Sequence, residues 1–300
     1  IGDKVIDLRK NSSYSFTAEK GTNEGRFKIV FKRPEVQQTV WNGLKSGDWN
    51  QTSGWDNGVP NRFREAVIPS GDVTALGHVE AKSLTIGAQA SLTLENTADL
   101  KVQEPVRLQS DAQGTGMLLN KGNTSHKAQV ERYLAEGNRY YYMGSPVQKA
   151  TAGTFRKVNE YAGDPSDFTN RGLFVYNNGW ERITKTYHLL QPLKGFTFKN
   201  PWDDNTYTFE GQLNTGEVSI ELNRTGWHLI GNPYPSALDW GSSDNPAGWT
   251  GDENLRNTIW YRVGGSGGEN GGGNFATYNH LSGENTLDGQ QFIPPMQSVW

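Results

Sequence analysis

The chain has 300 residues, 29 basic against 32 acidic, a net charge of −3 and no cysteine, which excludes disulfides, thiolate catalysis and cysteine-ligated metals. The balanced charge, with no basic run or stripe, argues against nucleic acid or an anionic membrane as partner. Mean hydropathy is −0.71 and only 34% of residues are hydrophobic, yet 11% are aromatic, so burial must rest on Trp, Tyr, Phe and β-branched side chains, as in an all-β protein with long polar loops.

No apolar run approaches the ~20 residues that span a bilayer. Ile1 opens directly into polar sequence, and Trp300 lies inside an apolar run, so the chain reads as part of something longer, truncated at its C-terminal end. The length suits two or three domains.

Residues 1–34 alternate as strands do, with Tyr14, Phe16 and Ala18 on one face and Phe27, Ile29 and Phe31 on another, around the loop KGTNEG. They read as the last strands of a preceding β-sandwich. Pro34 and the polar residues after it form a short linker.

The stretch 41–71, WNGLKSGDWNQTSGWDNGVPNRFREAVIPSG, places Trp41, Trp49 and Trp55 among Gly, Asn, Asp and Ser. A segment so polar needs the indoles as anchors, each removing about 200 Å² from water and contributing roughly 2–3 kcal/mol. Short apolar pulses follow at Val67 and Ile68, Leu84 and Ile86, Leu92 and Leu94, Leu100 and Val102, and Val106 and Leu108, separated by Gly-Ala or Asn-Thr-Ala-Asp turns. The segment 35–125 is therefore expected to be a Trp-anchored connector and a short stacked or β-solenoid-like layer.

Beyond it the chain is duplicated. YYYMGSPV (140–147), GLFVYNNGW (172–180) and LLQPLKGFTF (189–198) are answered in order by WHLIGNPYPS (227–236), NTIWYRVGG (257–265) and QFIPPMQSVW (291–300). This predicts an antiparallel β-sandwich or jelly roll over 126–300, built from two related halves, with 239–256 and 264–273 as insertions.

Pro146 and Pro233 stand at matching places, where a strand must leave its sheet because proline cannot donate to the ladder; a contact role at the rim would fall to Asn232 and Tyr234. The histidines His78, His126, His188, His228 and His280 show no metal spacing. Hard oxygen ligands gather in two loops, Asp164, Asp167 and Asn170 in one and Asp244, Asp252, Glu253 and Asn254 in the other. No cofactor is expected; calcium, on Asp164, Asp167 and Asp252, is the one ion these loops could take. The glycine run at 264–273 lacks the ending of a phosphate loop, no GxSxG elbow occurs, and no carboxylate pair is singled out for glycoside hydrolysis. Trp180, Trp202, Trp240 and Trp249 sit beside Asp, Asn or Gly in loop-like sequence, where sugar rings could stack on them.

The WNG…DW…W..GVP…VIPSG pattern with KSLTIGAQASLTL and DLKV resembles a segment of large exported and surface proteins of the Bacteroidetes. HLIGNPYPSALDW, TIWYRVGG…NFATYN and QFIPPMQSVW are similar to strings that lie in such proteins upstream of a C-terminal sorting domain for type IX secretion. The opening DLRKNSSYSFTAEKGTNEGRFKIVF resembles the end of a sandwich found there. The resemblance implies an accessory β region, outside a Gram-negative cell or on its outer surface, that meets the type IX machinery although the sorting domain is absent here. The expected function is a non-enzymatic structural or adhesive region. The alternatives are a carbohydrate-binding module serving an upstream enzyme, marked by coplanar exposed indoles, and, third, a glycoside hydrolase.

Overall fold

The computed structural model describes residues 37–122, 125–156, 172–222, 225–241, 255–263 and 274–300, with Ile6, Ser13, Ser15, Thr17, Lys20 and Gly21 besides. The chain divides into two units, Ile1–Glu35 and Val36–Trp300. The strands expected before Pro34 lie outside the described residues, as do Asp164, Asp167, Asn170, Asp244, Trp249, Asp252, Glu253, Asn254 and the glycine run.

The second unit begins as stacked coils. Strands β1 (Gln37–Val40) and β2 (Ser46–Asp48) both pair in parallel with β3 (Arg64–Ala75). After β4 (His78–Ala81), strand β5 (Ser83–Leu94) lies parallel to β3, and β6 (Asp99–Val102) lies parallel to β4. The next coil supplies β7 (Val106–Leu108), a small hairpin of β8 (Ser110–Asp111) and β9 (Gly114–Thr115), and β10 (Met117–Asn120). Both β7 and β10 run parallel to β5. The result is a β-solenoid-like stack of about 4 turns, repeating every ~20 residues. Each coil is too short to bury its own apolar side chains, so Leu84, Ile86, Leu92 and Leu94 are covered by the coils on either side. One local expectation is corrected. The Leu84/Ile86 and Leu92/Leu94 pulses belong to a single strand, and the Gly-Ala between them is no turn; the irregularity there is a register shift between Ile68 and Ser70 of β3.

The three connector indoles are fully inside. Trp41, Trp49 and Trp55 are buried and meet edge to face, Trp41 and Trp49 each about 5 Å from Trp55 at 80° and 65°. Trp41 Nε1 donates to Leu44 O at 2.9 Å and Trp55 Nε1 to Trp49 O at 2.7 Å. A Cβ on Gly54 would lie 2.2 Å from the Trp41 ring, so the glycine is required for the connector to close over the indole. Backbone bonds from Trp41 N to Val67 O and from Trp49 N to Thr74 O tie the clamp onto β3.

The stack continues into the duplicated region. Strand β11 (Lys127–Leu134) pairs in parallel with β7. Then come β12 (Arg139–Met143), β13 (Leu173–Tyr176), β14 (Trp180–Arg182), β15 (Phe196–Asn200) and β16 (Asn205–Gln212). Strand β16 closes the large sheet antiparallel to β11, giving the order β1-β3-β5-β7-β11-β16. One sheet thus runs across the boundary expected near residue 125. A separate antiparallel sheet has the order β12-β15-β13-β14. Phe155, in a 3-10 turn at Ala152–Phe155, packs against Phe196, Phe198, Tyr207 and Phe209 beneath it.

The second half supplies β17 (Ile230–Gly231), β18 (Leu238–Asp239), β19 (Thr258–Arg262), β20 (Phe275–Asn279), β21 (Asn285–Thr286), β22 (Phe292–Ile293) and β23 (Ser298–Val299). Its pairings repeat those of the first half. Strand β17 pairs with β23 as β12 does with β15; Trp260 and Trp300 exchange backbone hydrogen bonds of 2.9 and 3.0 Å, so β19 flanks the closing strand as β13 does; and β19 forms a hairpin with β20 as β13 does with β14.

The halves meet about a pseudo-twofold. Met143 bridges Gln297 while its counterpart Ile230 bridges Lys194, the counterpart of Gln297. Gly144 N donates to Met296 O at 3.0 Å and Gly231 N to Leu193 O at 2.9 Å. Leu193 and Met296 share a left-handed backbone, φ 61 and 58. Gly144 and Gly231 lie back to back, so that a Cβ on either would come within 2.9 Å of the other's Cα. Pro146 and Pro233 follow directly, and buried Asn214 ties their turns together, donating to Ser145 O at 3.1 Å and Pro233 O at 2.8 Å.

Trp55→Ala should destabilise the Val36–Trp300 unit by about 3–5 kcal/mol in denaturant unfolding, the usual range for truncating a buried Trp. Gly144→Ala should cost about 1–3 kcal/mol or more, since the opposing atoms are backbone and cannot turn aside. Buried His126 has its pKa pushed below 6.5 by desolvation, with Lys101 adding to the effect and Asp99 opposing it. The unfolded chain therefore takes up this proton at higher pH than the folded one, and the histidine's contribution to stability is complete above pH 6.5 and lost as pH falls below it. His126→Leu should flatten that part of the stability profile.

Candidate functional site

The strand alternation that builds the two halves also decides which aromatics leave the core. In β13, Leu173 and Val175 point inward, leaving Phe174 and Tyr176 on the other face; in β19, Ile259 and Tyr261 are buried while Trp260 and Arg262 lie opposite. The Tyr261 hydroxyl, its pKa raised by burial, donates to Gln290 O.

The outward aromatics converge. Trp300 lies 4.7 Å from Tyr176, 5.8 Å from Trp180 and 6.3 Å from Trp227, and Trp227 is 4.9 Å from Trp260. Tyr142, itself buried, sits below Trp180 and Trp300 at 5.9 Å from each, with Phe275 at 6.3 Å and the Arg262 guanidinium 5.3 Å above its ring. Residues of both halves thus form one continuous patch. Its outermost members, Trp180 and Trp227, are 44% and 54% exposed. Tyr176, Trp180, Trp227, Trp260 and Trp300 meet at 75–90°, and Tyr142 is tilted 43–44° to Trp180 and Phe275, so the patch is corrugated; the coplanar platform expected of a carbohydrate module is not what these indoles form. The site has a counterpart in the first half: Tyr140 and Phe174 are 6.3 Å apart at the positions equivalent to Trp227 and Trp260, and are dressed by Lys199 and Arg182 at 5.9 and 5.2 Å.

Of the four indoles expected to bind sugar, the structure brings one to this patch. Trp180 belongs to it. Trp202 is 40% exposed but lies beyond Asn200, where β15 ends, at the opposite end of the four-stranded sheet. Trp240 is half-buried against a second core of Ile259, Tyr261, Ala276, Tyr278, Ile293 and Val299, which corrects its expected exposure. Trp249 lies outside the described residues. Sequence reasoning missed Trp227, Trp260 and Trp300 because they lie in the repeated segments and not in loop-like sequence; the signal was the two-residue phase of TIWYR, which sets Trp260 opposite Ile259 and Tyr261.

The other candidates are structural. Asn232 is buried and donates through Nδ2 to Ser236 O, Ile293 O and Pro294 O at 2.8–3.0 Å, which removes it from the rim. Its Oδ1 accepts from Tyr234 N at 2.9 Å. Among the described residues no group of three His, Asp or Glu side chains converges as a metal set, and both loops expected to hold calcium lie outside those residues.

No curated protein and no solved structure matches the chain. A family model described as Domain of unknown function (DUF8693) matches residues 40–260. The match runs from the tryptophan clamp through the stacked coils and the first half to Trp260 in β19, most of the sequence, and the chain belongs to this family, DUF8693.

Proposed function

We propose that the chain is a non-enzymatic adhesive region of a secreted or cell-surface bacterial protein, that the aromatic patch is its adhesive surface, and that carbohydrate is the ligand class. One observation carries the reading: segments of both halves bring Trp180, Trp227 and Trp300 to a single surface, with the outer two indoles about half exposed. Clustered apolar surface of this kind on a polar chain marks a binding surface more often than chance exposure. Indoles stack on the apolar faces of sugars while their N–H groups remain free for hydroxyls. The perpendicular rings suit a twisted chain or a branch point better than the flat face of a crystalline polymer. The resemblance to exported proteins supplies the extracellular setting.

The test is a glycan array probed with the whole chain and three variants. Trp180→Ala and Trp227→Ala should each weaken binding by about tenfold, the worth of one aromatic contact. Trp202→Ala, at the far end of the sheet, should leave it unchanged. An array on which the wild-type chain binds nothing, or equal losses from Trp202→Ala and Trp227→Ala, would overturn the reading.

A further inference from the structure

A second site lies on the coiled stack, where β11 carries an arginine on its core-facing side. Along that strand Ala128, Val130 and Leu134 are buried on one face, and Arg132 occupies the position between Val130 and Leu134 on the same face. Its neighbour Glu131 points the other way and accepts from Ser110 N. Arg132 Nε is fully enclosed and has no hydrogen-bond partner, and among the described residues no carboxylate pairs with the guanidinium. Burial depresses its proton affinity, with Tyr141 the one ionisable neighbour acting against this.

Arg132 forms part of the wall of a cleft of about 440 Å³. The cleft is lined on the stack side by Asp72, Gln89, Thr115 and Met117, and on the other by Pro294 and Pro295. Asn232 holds the proline wall in place by donating to Pro294 O. The polarity is divided. Arg132 is partly buried, whereas Asp72 and Gln89 are exposed; Asp72 uses Oδ1 to accept from Ser91 Oγ at 2.7 Å, and no described bond occupies Oδ2.

A guanidinium with its Nε enclosed and no counter-ion is unfavourably placed, and arginine's planar fork matches a carboxylate through two parallel hydrogen bonds. The volume falls in the range of small-ligand sites. We propose that this cleft binds a small carboxylate that also carries hydroxyl or ammonium donors, with its carboxylate on the Arg132 fork and its donors turned toward Asp72. An acidic sugar unit and a free amino acid share this chemistry. The inference stands apart from the aromatic patch and does not need it.

Thermal unfolding of the whole chain, titrated separately with glucuronate, glycine, acetate and glucose, tests it. Glucuronate or glycine should raise the melting temperature, and whichever does so identifies the source; acetate should do so less, and glucose not at all. Arg132→Lys, which keeps the charge but loses the fork, should weaken the effective ligand at least about tenfold. Asp72→Asn should reduce that ligand's advantage over acetate. Arg132→Met should abolish the response while melting no lower than wild type, because an unpaired buried charge has been replaced by an apolar chain of similar length. Trp227→Ala should respond as wild type, separating this site from the adhesive one. The proposal is overturned if neither glucuronate nor glycine shifts the melting temperature, if glucose shifts it equally, or if Arg132→Lys and Arg132→Met respond as wild type does.

Discussion

Two backbones crossing with nothing between them is the constraint on which the duplicated region depends. Gly144 and Gly231 approach so closely that neither could carry a Cβ, and this contact lets each half pass its closing segment to the other. The reciprocal bonds from Gly144 to Met296 and from Gly231 to Leu193, together with the left-handed Leu193 and Met296, make the crossing a pseudo-symmetric joint. Symmetry of this kind lets one geometric solution serve twice. The prolines that follow each glycine then turn both strands out of their sheets, and Asn214 fastens the two turns.

The aromatic patch is a product of that joint. Trp180 and Tyr176 come from the first half, Trp227, Trp260 and Trp300 from the second, and they meet only because the halves are packed about the glycine pair. The first half has a counterpart in Tyr140 and Phe174, covered by Lys199 and Arg182. Equivalent positions of the two halves therefore carry two aromatic pairs, one dressed by cations and the other built of indoles. The connector tryptophans show the opposite use of the same side chain. Trp41, Trp49 and Trp55 are enclosed because the Gly-rich connector folds over them, while Trp260 stands outward because β19 alternates, and Trp180 opens β14, a strand exposed along its whole length. The carbonyl partners of Trp41 and Trp55 lie within the connector itself, so its polar sequence serves to satisfy the anchors it buries.

Much of the architecture was legible in the residues. Alternation and composition identified an all-β chain, the apolar pulses pointed to a stacked layer, and the order of GSPV, GLFVYNNGW and LLQPLKGF against GNPYPS, NTIWYRVGG and FIPPMQSV exposed the two halves. These are local signals: side-chain phase, turn chemistry and repeated spacing survive in one dimension. The merging of two pulses into β5 was not legible, because a parallel neighbour on each edge lets a strand run through a Gly-Ala pair that an isolated strand would use to turn.

Exposure was beyond reach for a different reason. Whether an indole is a core residue or a contact depends on what packs over it from tens of residues away. Trp240 looked like a loop contact and is half-buried against the core that holds Ile293 and Val299, whereas Trp227, read only as part of a repeated segment, is exposed. The same holds for Arg132, an unexceptional charge in the sequence that becomes an unpaired cation in a cleft only when β11 joins the stack and Pro294 and Pro295 close over it. The sequence by itself determined the all-β class, the stacked layer and the order of segments that recurs in the two halves; the tertiary structure alone decided which strands pair and which rings and charges meet water, because pairing and solvent exposure are properties of long-range packing and not of any local run of residues.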